Sequence, residues 1–135
     1  MQYETHSAAE TEALGEALAH AFMPPHTFCL IGDLGAGKTA FTRGLARGYG
    51  FSGRVMSPTF TLLHIYDGSV PIHHFDLYRL SSDEELDDID FDSYLENGIT
   101  VIEWPNAFMH RIGRATVVRI TAKNADIRQI ETEEI

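Results

Sequence analysis

Gly32-Asp33-Leu34-Gly35-Ala36-Gly37-Lys38-Thr39 spells G-x-x-x-x-G-K-[ST], the spacing with which a loop wraps the phosphates of a nucleotide. Each residue type has a reason to stand where it does. Gly32, Gly35 and Gly37 permit a tight turn and a close backbone approach that a Cβ would block. The backbone from Leu34 through Gly35, Ala36 and Gly37 can then aim several N–H groups at one anionic spot, where a helix N-terminus adds positive potential. Lys38 carries a point charge to the terminal phosphates, and the Thr39 hydroxyl is a ligand for Mg²⁺.

Holding phosphate is binding; hydrolysis also needs an acid that orients the metal and a positioned water. Glu103 stands at the end of the apolar run Thr100-Val101-Ile102, where such an acid belongs. Asp is the more usual residue, and a Glu either ligates metal through water or acts as base. Trp104 beside it reads equally as packing and as part of the site. Asp76 is the second acid. At a period of two it shares a face with Ile72, His74 and Tyr78, so it interrupts a partly apolar surface. A carboxylate there needs Mg²⁺, the attacking water, or an arginine such as Arg79 as partner. In Ser57-Pro58-Thr59-Phe60-Thr61, Thr59 or Thr61 is placed to sense a γ-phosphate, although threonines are common at strand entries. His73 and His74 point to opposite faces of a strand and cannot chelate together. His64 could face one of them across a hairpin, but no carboxylate or cysteine completes a metal set. Lys123-Asn124-Ala125-Asp126 matches a guanine-specificity motif only with its first two letters exchanged, which sets GTP aside.

These residues need elements to hold them. Ser7 and Glu10 form a capping-box pattern ahead of Leu14, Ala17, Leu18 and Ala21, a helix that Pro24-Pro25 ends. Thr27 to Ile31 is a buried strand that runs straight into Gly32. Phe41 and Leu45 mark the inner face of a helix closed by Gly48 and Gly50. Thr61 to Tyr66 and Val70 to Tyr78 are two strands about an Asp67-Gly68 turn. The acidic stretch from Ser81 to Gly98 predicts two short helices. Thr100 to Trp104, Ala115 to Thr121 and Ile127 to Thr132 are the later strands. The fold class expected is α/β: a single P-loop NTPase-type domain over residues 1–135, with a central mostly parallel sheet and an inserted antiparallel hairpin.

A net charge of −10, with Lys38 and Lys123 the only lysines, argues against unaided binding to nucleic acid. Asp83-Glu84-Glu85 with Asp87-Asp88 reads as a solvated face or a dock for a basic partner. Cys29 is the lone cysteine, which fits a reducing cytosol. The N-terminal stretch has neither the basic region nor the apolar core of a secretory signal, and no apolar run has membrane-spanning length.

GDLGAGKT, SPTFTL, HFDLYRL and VIEWP, in this order and at these spacings, resemble the TsaE (YjeE) ATPases. The resemblance implies a Mg²⁺-dependent ATPase that serves threonylcarbamoyladenosine modification of tRNA together with a TsaD–TsaB complex. It implies that tRNA is reached only through that complex, in the cytoplasm. By the same resemblance Lys38, Thr39, Glu103 and Asp76 fall on the family's phosphate, metal and acid positions, and Trp104 on its adjoining tryptophan. The base would lie between the start of the first helix, around Ala8, and a loop of the late strands, around Asn124. Two other readings stay open. One is a nucleotide-dependent switch with negligible turnover. The other is a small-molecule kinase, which would need an acceptor pocket and a lid that no insertion here is long enough to build.

Overall fold

In chain order, a computed structural model of the protein contains strand β1 (Gln2–Thr5), helix α1 (Ala8–Ala19), β2 (His26–Ile31), α2 (Lys38–Gly48), β3 (Leu63–Asp67) and β4 (Pro71–Asp76). Short helices α3 (Asp83–Asp88) and α4 (Phe91–Leu95) follow, then β5 (Ile99–Glu103), a 3₁₀ turn (Asn106–Arg111), β6 (Thr116–Ala122) and β7 (Arg128–Glu134). The structure describes residues 1–56 and 61–135. Among these, no helix is long and apolar enough to cross a membrane.

All seven strands form one sheet in the order β1-β7-β6-β2-β5-β4-β3. Four strands at its centre, β6, β2, β5 and β4, pair in parallel. β3 and β7 run against them, and β1 pairs antiparallel with β7. Burial explains the central strands. Phe28, Cys29 and Leu30 of β2 and Ile99, Val101 and Ile102 of β5 are inaccessible, as expected for parallel strands covered on both sides.

Local chemistry sets the element ends. Ser7 Oγ accepts the N–H of Glu10 at 3.1 Å, which starts α1, while the Glu10 carboxylate reaches back to the N–H of His6. Glu85 closes the corresponding capping box on Ser82 at α3. β4 ends where Asp76 Oδ1 accepts the N–H of Tyr78 at 2.9 Å, a side-chain turn that leads the chain off the sheet.

Three features go beyond the sequence reading. The antiparallel hairpin is built into the sheet itself: β4 is a full member of the parallel centre beside β5, and within the hairpin only β3 runs counter. Ile72 to Asp76 are all buried, because both faces of a central strand are covered. β1 and the 3₁₀ turn are additional elements.

Candidate active site

β2 hands the chain to a loop over residues 32–37 whose geometry depends on glycine. Gly35 has φ +79° and Gly37, the N-cap of α2, has φ +112°, values that a side chain disfavours. A Cβ on Gly35 would meet nothing within 4 Å, so the space above the loop is open. Ala36 turns the other way: its methyl is buried and its N–H donates to the Asp33 carbonyl at 3.0 Å. Leu34 stands out of the loop, 86% exposed. The first N–H groups of α2 have no acceptor within the helix, and they carry the positive end of its dipole.

A cavity of about 510 Å³ opens over this helix start, lined by Leu34, Gly35, Gly37, Lys38, Thr39, Asp76, Tyr78, Glu103 and Trp104. Both acids arrive there from neighbouring strands. β4 and β5 pair with Asp76 opposite Glu103, at strand ends on the side of the sheet that α2 covers. Lys38, only 6% exposed, places Nζ 3.7 Å from Glu103 Oε1 and 4.3 Å above the Trp104 ring. Trp104 holds that ring in place from a left-handed backbone (φ +57°), an uncommon conformation for a large side chain, and Tyr78 packs on it at 5.1 Å. Burial pushes the Asp76 carboxyl above the ordinary carboxylate range. The Tyr78 N–H, Lys38 and His74 oppose this, and the Glu103 charge adds to it. The set of one ammonium, one hydroxyl and two carboxylates offers hard oxygen ligands of the kind Mg²⁺ takes, beside donors for phosphate. The residues present therefore fit both groups.

A second cavity of about 230 Å³ lies across Gly37, lined by Ser7, Ala8, Thr11, Gly37, Ala40, Ala125, Asp126 and Arg128. It joins the start of α1 to the β6–β7 turn, so Ala8 and the residues that follow Asn124 border one space. Asn124 itself shapes the turn: Oδ1 accepts the N–H groups of Asp126 and Ile127, each at 2.9 Å. Arg128 reaches over Gly37 and donates to the Asn124 carbonyl at 2.8 Å.

Other positions separate. Thr61 is exposed and does not line the large cavity, and Thr59 lies outside the described residues. His73 packs on Tyr94 on the far side of the sheet. His74, opposite His64 in register, turns instead to Glu103, with Nε2 2.6 Å from Oε2. His74 is thus a direct neighbour of Glu103, a contact that the sequence reading did not anticipate. The available signal was its period-two relation to Asp76.

A family model described as "Threonylcarbamoyl adenosine biosynthesis protein TsaE" matches residues 5–132. The chain belongs to the TsaE family. A TsaE protein of Bacillus subtilis is 40% identical over 106 residues, covering 77% of this chain and 66% of that relative. One from Treponema pallidum is 36% identical over 118 residues, covering 87% of each. The chain spans about two thirds or less of the length of several TsaE relatives, 61% for that of Rickettsia conorii. The crystal structure of Bacillus subtilis YdiB superimposes with a TM-score of 0.80 at 30% identity, covering 99% of this chain and 84% of that one. The fold of this TsaE chain is thus the α/β architecture expected, and the match spans every element that bears on the phosphate loop.

Proposed function

We propose that this chain binds Mg·ATP at the phosphate loop, hydrolyses it slowly alone, and thereby supports threonylcarbamoyladenosine modification of tRNA with a TsaD–TsaB-like complex in the cytoplasm. The observation that carries this reading is the convergence of Lys38, Thr39, Asp76 and Glu103 on one cavity at the start of α2. The TsaE names of the relatives support the pathway.

Each residue has a role its position supports. The amides of the loop and of the α2 N-terminus take the phosphate oxygens, and Lys38 takes the terminal ones. Thr39 and Glu103 hold Mg²⁺, Glu103 directly or through water, and Asp76 arranges the metal shell or the water. Mg²⁺ supplies charge neutralisation on the phosphates and orients them. Ala8 and the Asn124 turn flank the base, with Arg128 closing the cavity beside them. The charge of −10 supports an indirect route to tRNA, because a partner must supply the cations that phosphates attract.

The test is ATP turnover by the purified protein, alone and then with a TsaD–TsaB pair and tRNA. Strong stimulation by the pair is expected. Bound ATP with no turnover in any mixture would instead make the protein a nucleotide switch.

A further inference from the structure

The two oxygens of Glu103 have different neighbours. Oε1 faces Lys38 at 3.7 Å, while Oε2 lies 2.6 Å from His74 Nε2. His74 is wholly buried, and its other ring nitrogen lies 3.0 Å from the Tyr66 hydroxyl. That hydroxyl in turn lies 3.1 Å from the Met56 carbonyl. A continuous polar chain therefore runs from Met56 through Tyr66 on β3 and His74 on β4 to Glu103 on β5.

Strand register builds it. His74 pairs with Val101, so Glu103 is the next residue along β5 on the same face. Tyr66 stands on the same hairpin, two residues past the His64 that pairs with His74. Packing alone does not call for a buried imidazole here; Ile72 fills the equivalent place two residues earlier with no polar cost.

Hydrogen counting narrows what the chain can do. The Met56 carbonyl only accepts, and Tyr66 has a single proton to give. Whichever way that proton points, the 2.6 Å contact requires a proton between His74 Nε2 and Glu103 Oε2. One oxygen of Glu103 is thus always engaged by the imidazole, and Oε1 is the one that faces Lys38 in the cavity.

We propose that His74 is a positioning residue that ties down Oε2 so that Glu103 presents Oε1 alone to the phosphate site, with Tyr66 fixing the rotation of the imidazole. The role rests on reading Glu103 as the metal-linked acid. Partners behind a metal ligand orient it, and losing them commonly costs about 10- to 100-fold in affinity or activity.

The experiment compares the full chain with His74→Gln, His74→Leu, Tyr66→Phe, Glu103→Gln and the His74→Gln/Glu103→Gln pair. The first readout needs no nucleotide: ¹⁵N-edited NMR of the His74 ring. Its Nε2 resonance should move in Glu103→Gln, and its Nδ1 resonance in Tyr66→Phe. The second is binding of Mg·ATP and of metal-free ATP, followed by the fluorescence of Trp104, the sole tryptophan. The third is kcat. His74→Gln should lower kcat about 10- to 100-fold while metal-free ATP binding changes less than about twofold. In the Glu103→Gln background it should add almost nothing. Tyr66→Phe, which keeps the ring stacked on Phe51, should cost only a few-fold. An equal loss from His74→Gln with and without Glu103, or a His74 ring signal indifferent to Glu103→Gln, overturns the positioning role. Undiminished kcat in Glu103→Gln fails at the earlier step and removes the reading of Glu103 itself. Should His74→Leu not fold, His74→Gln and Tyr66→Phe carry the same comparison.

Discussion

One face of the sheet is covered by α1 and α2, the other by α3, α4 and the 3₁₀ turn. On the first face α1 and α2 pack so closely that a Cβ on Gly44 would collide with the Glu12 carbonyl. Beneath them Phe28, Leu30, Phe41, Leu45, Ile72 and Val101 form a continuous core. On the second face Phe75, Leu86, Phe91 and Phe108 make a separate core under three short helical pieces. Half-buried Arg111 joins those pieces through exposed partners: it reaches Asp87 at 2.7 Å, Asp92 at 3.1 Å and the Asp83 carbonyl at 3.2 Å. Lys38, Asp76, His74 and Glu103 all stand on the first face. The candidate site residues thus sit where backbone meets backbone, and these four side chains stand away from the second face.

The largest effects should therefore come from the α2 face. Lys38→Ala should weaken ATP binding about 100-fold or more, since no second lysine is near to replace the charge. Glu103→Gln should leave binding in place and cut turnover about 100-fold or more, because the amide keeps the shape but loses the charge that would hold the metal. Equilibrium binding and single-turnover hydrolysis separate the two. If Glu103→Gln lost binding while the bound fraction turned over normally, Glu103 would belong to packing. Next comes Gly44→Ala, which should destabilise the protein by about 3 kcal/mol in urea titration, because backbone atoms and not a flexible side chain must give way. A neutral Gly44→Ala would mean that the two helices slide apart freely, and the contrast between the faces would be lost.

How much of this could be read in advance followed the range of the interactions. The phosphate loop is local, so its residues and both flanking elements were legible from spacing. Glu103 was legible as an acid at the end of an apolar run, and Asp76 as a carboxylate that interrupts a partly apolar strand face. β1 was not: Gln2 to Thr5 has one buried side chain, and it becomes a strand only by pairing with β7 over 120 residues away. The role of His74 was hidden for a similar reason. Its partner comes from β5, and only the parallel register brings Glu103 to it. Considered as a metal ligand, His74 lacked companions; beside Glu103 it has one. In the loop of the late strands, Asn124 shapes the turn, while Ala125, Asp126 and Arg128 line the small cavity beside Ala8. A turn-building asparagine and a ligand-facing one look alike until the turn is seen.

Asp76→Asn sharpens the comparison in the opposite direction. Burial raises the Asp76 pKa, so the folded protein holds that proton more firmly than the unfolded chain does. Its favourable contribution is complete below the ordinary carboxylate range and is lost as pH climbs through the raised value. Asn abolishes that dependence. At neutral pH the variant should melt about 2–4 °C higher, and at pH 3 the gain should vanish, while turnover falls. A lower Tm at neutral pH would mean that the Lys38 and His74 charges outweigh burial.

Arg111→Ala should have the smallest effect, and it tests the second face directly. The carboxylates it meets are exposed, so water and salt already screen most of the attraction. A drop in Tm of about 1–2 °C at low salt is expected, shrinking towards zero in 1 M NaCl, with ATP turnover unchanged. The salt dependence is the informative part. A loss that persisted at high salt would have to come from the packed stem of Arg111 rather than its charge, which would make the second face more tightly built than its ion pairs imply. A change in turnover would say something different. β4 and β5 carry residues of both faces, so it would mean that Phe75 and Ile102, on the far side of Asp76 and Glu103, transmit strain to the acids.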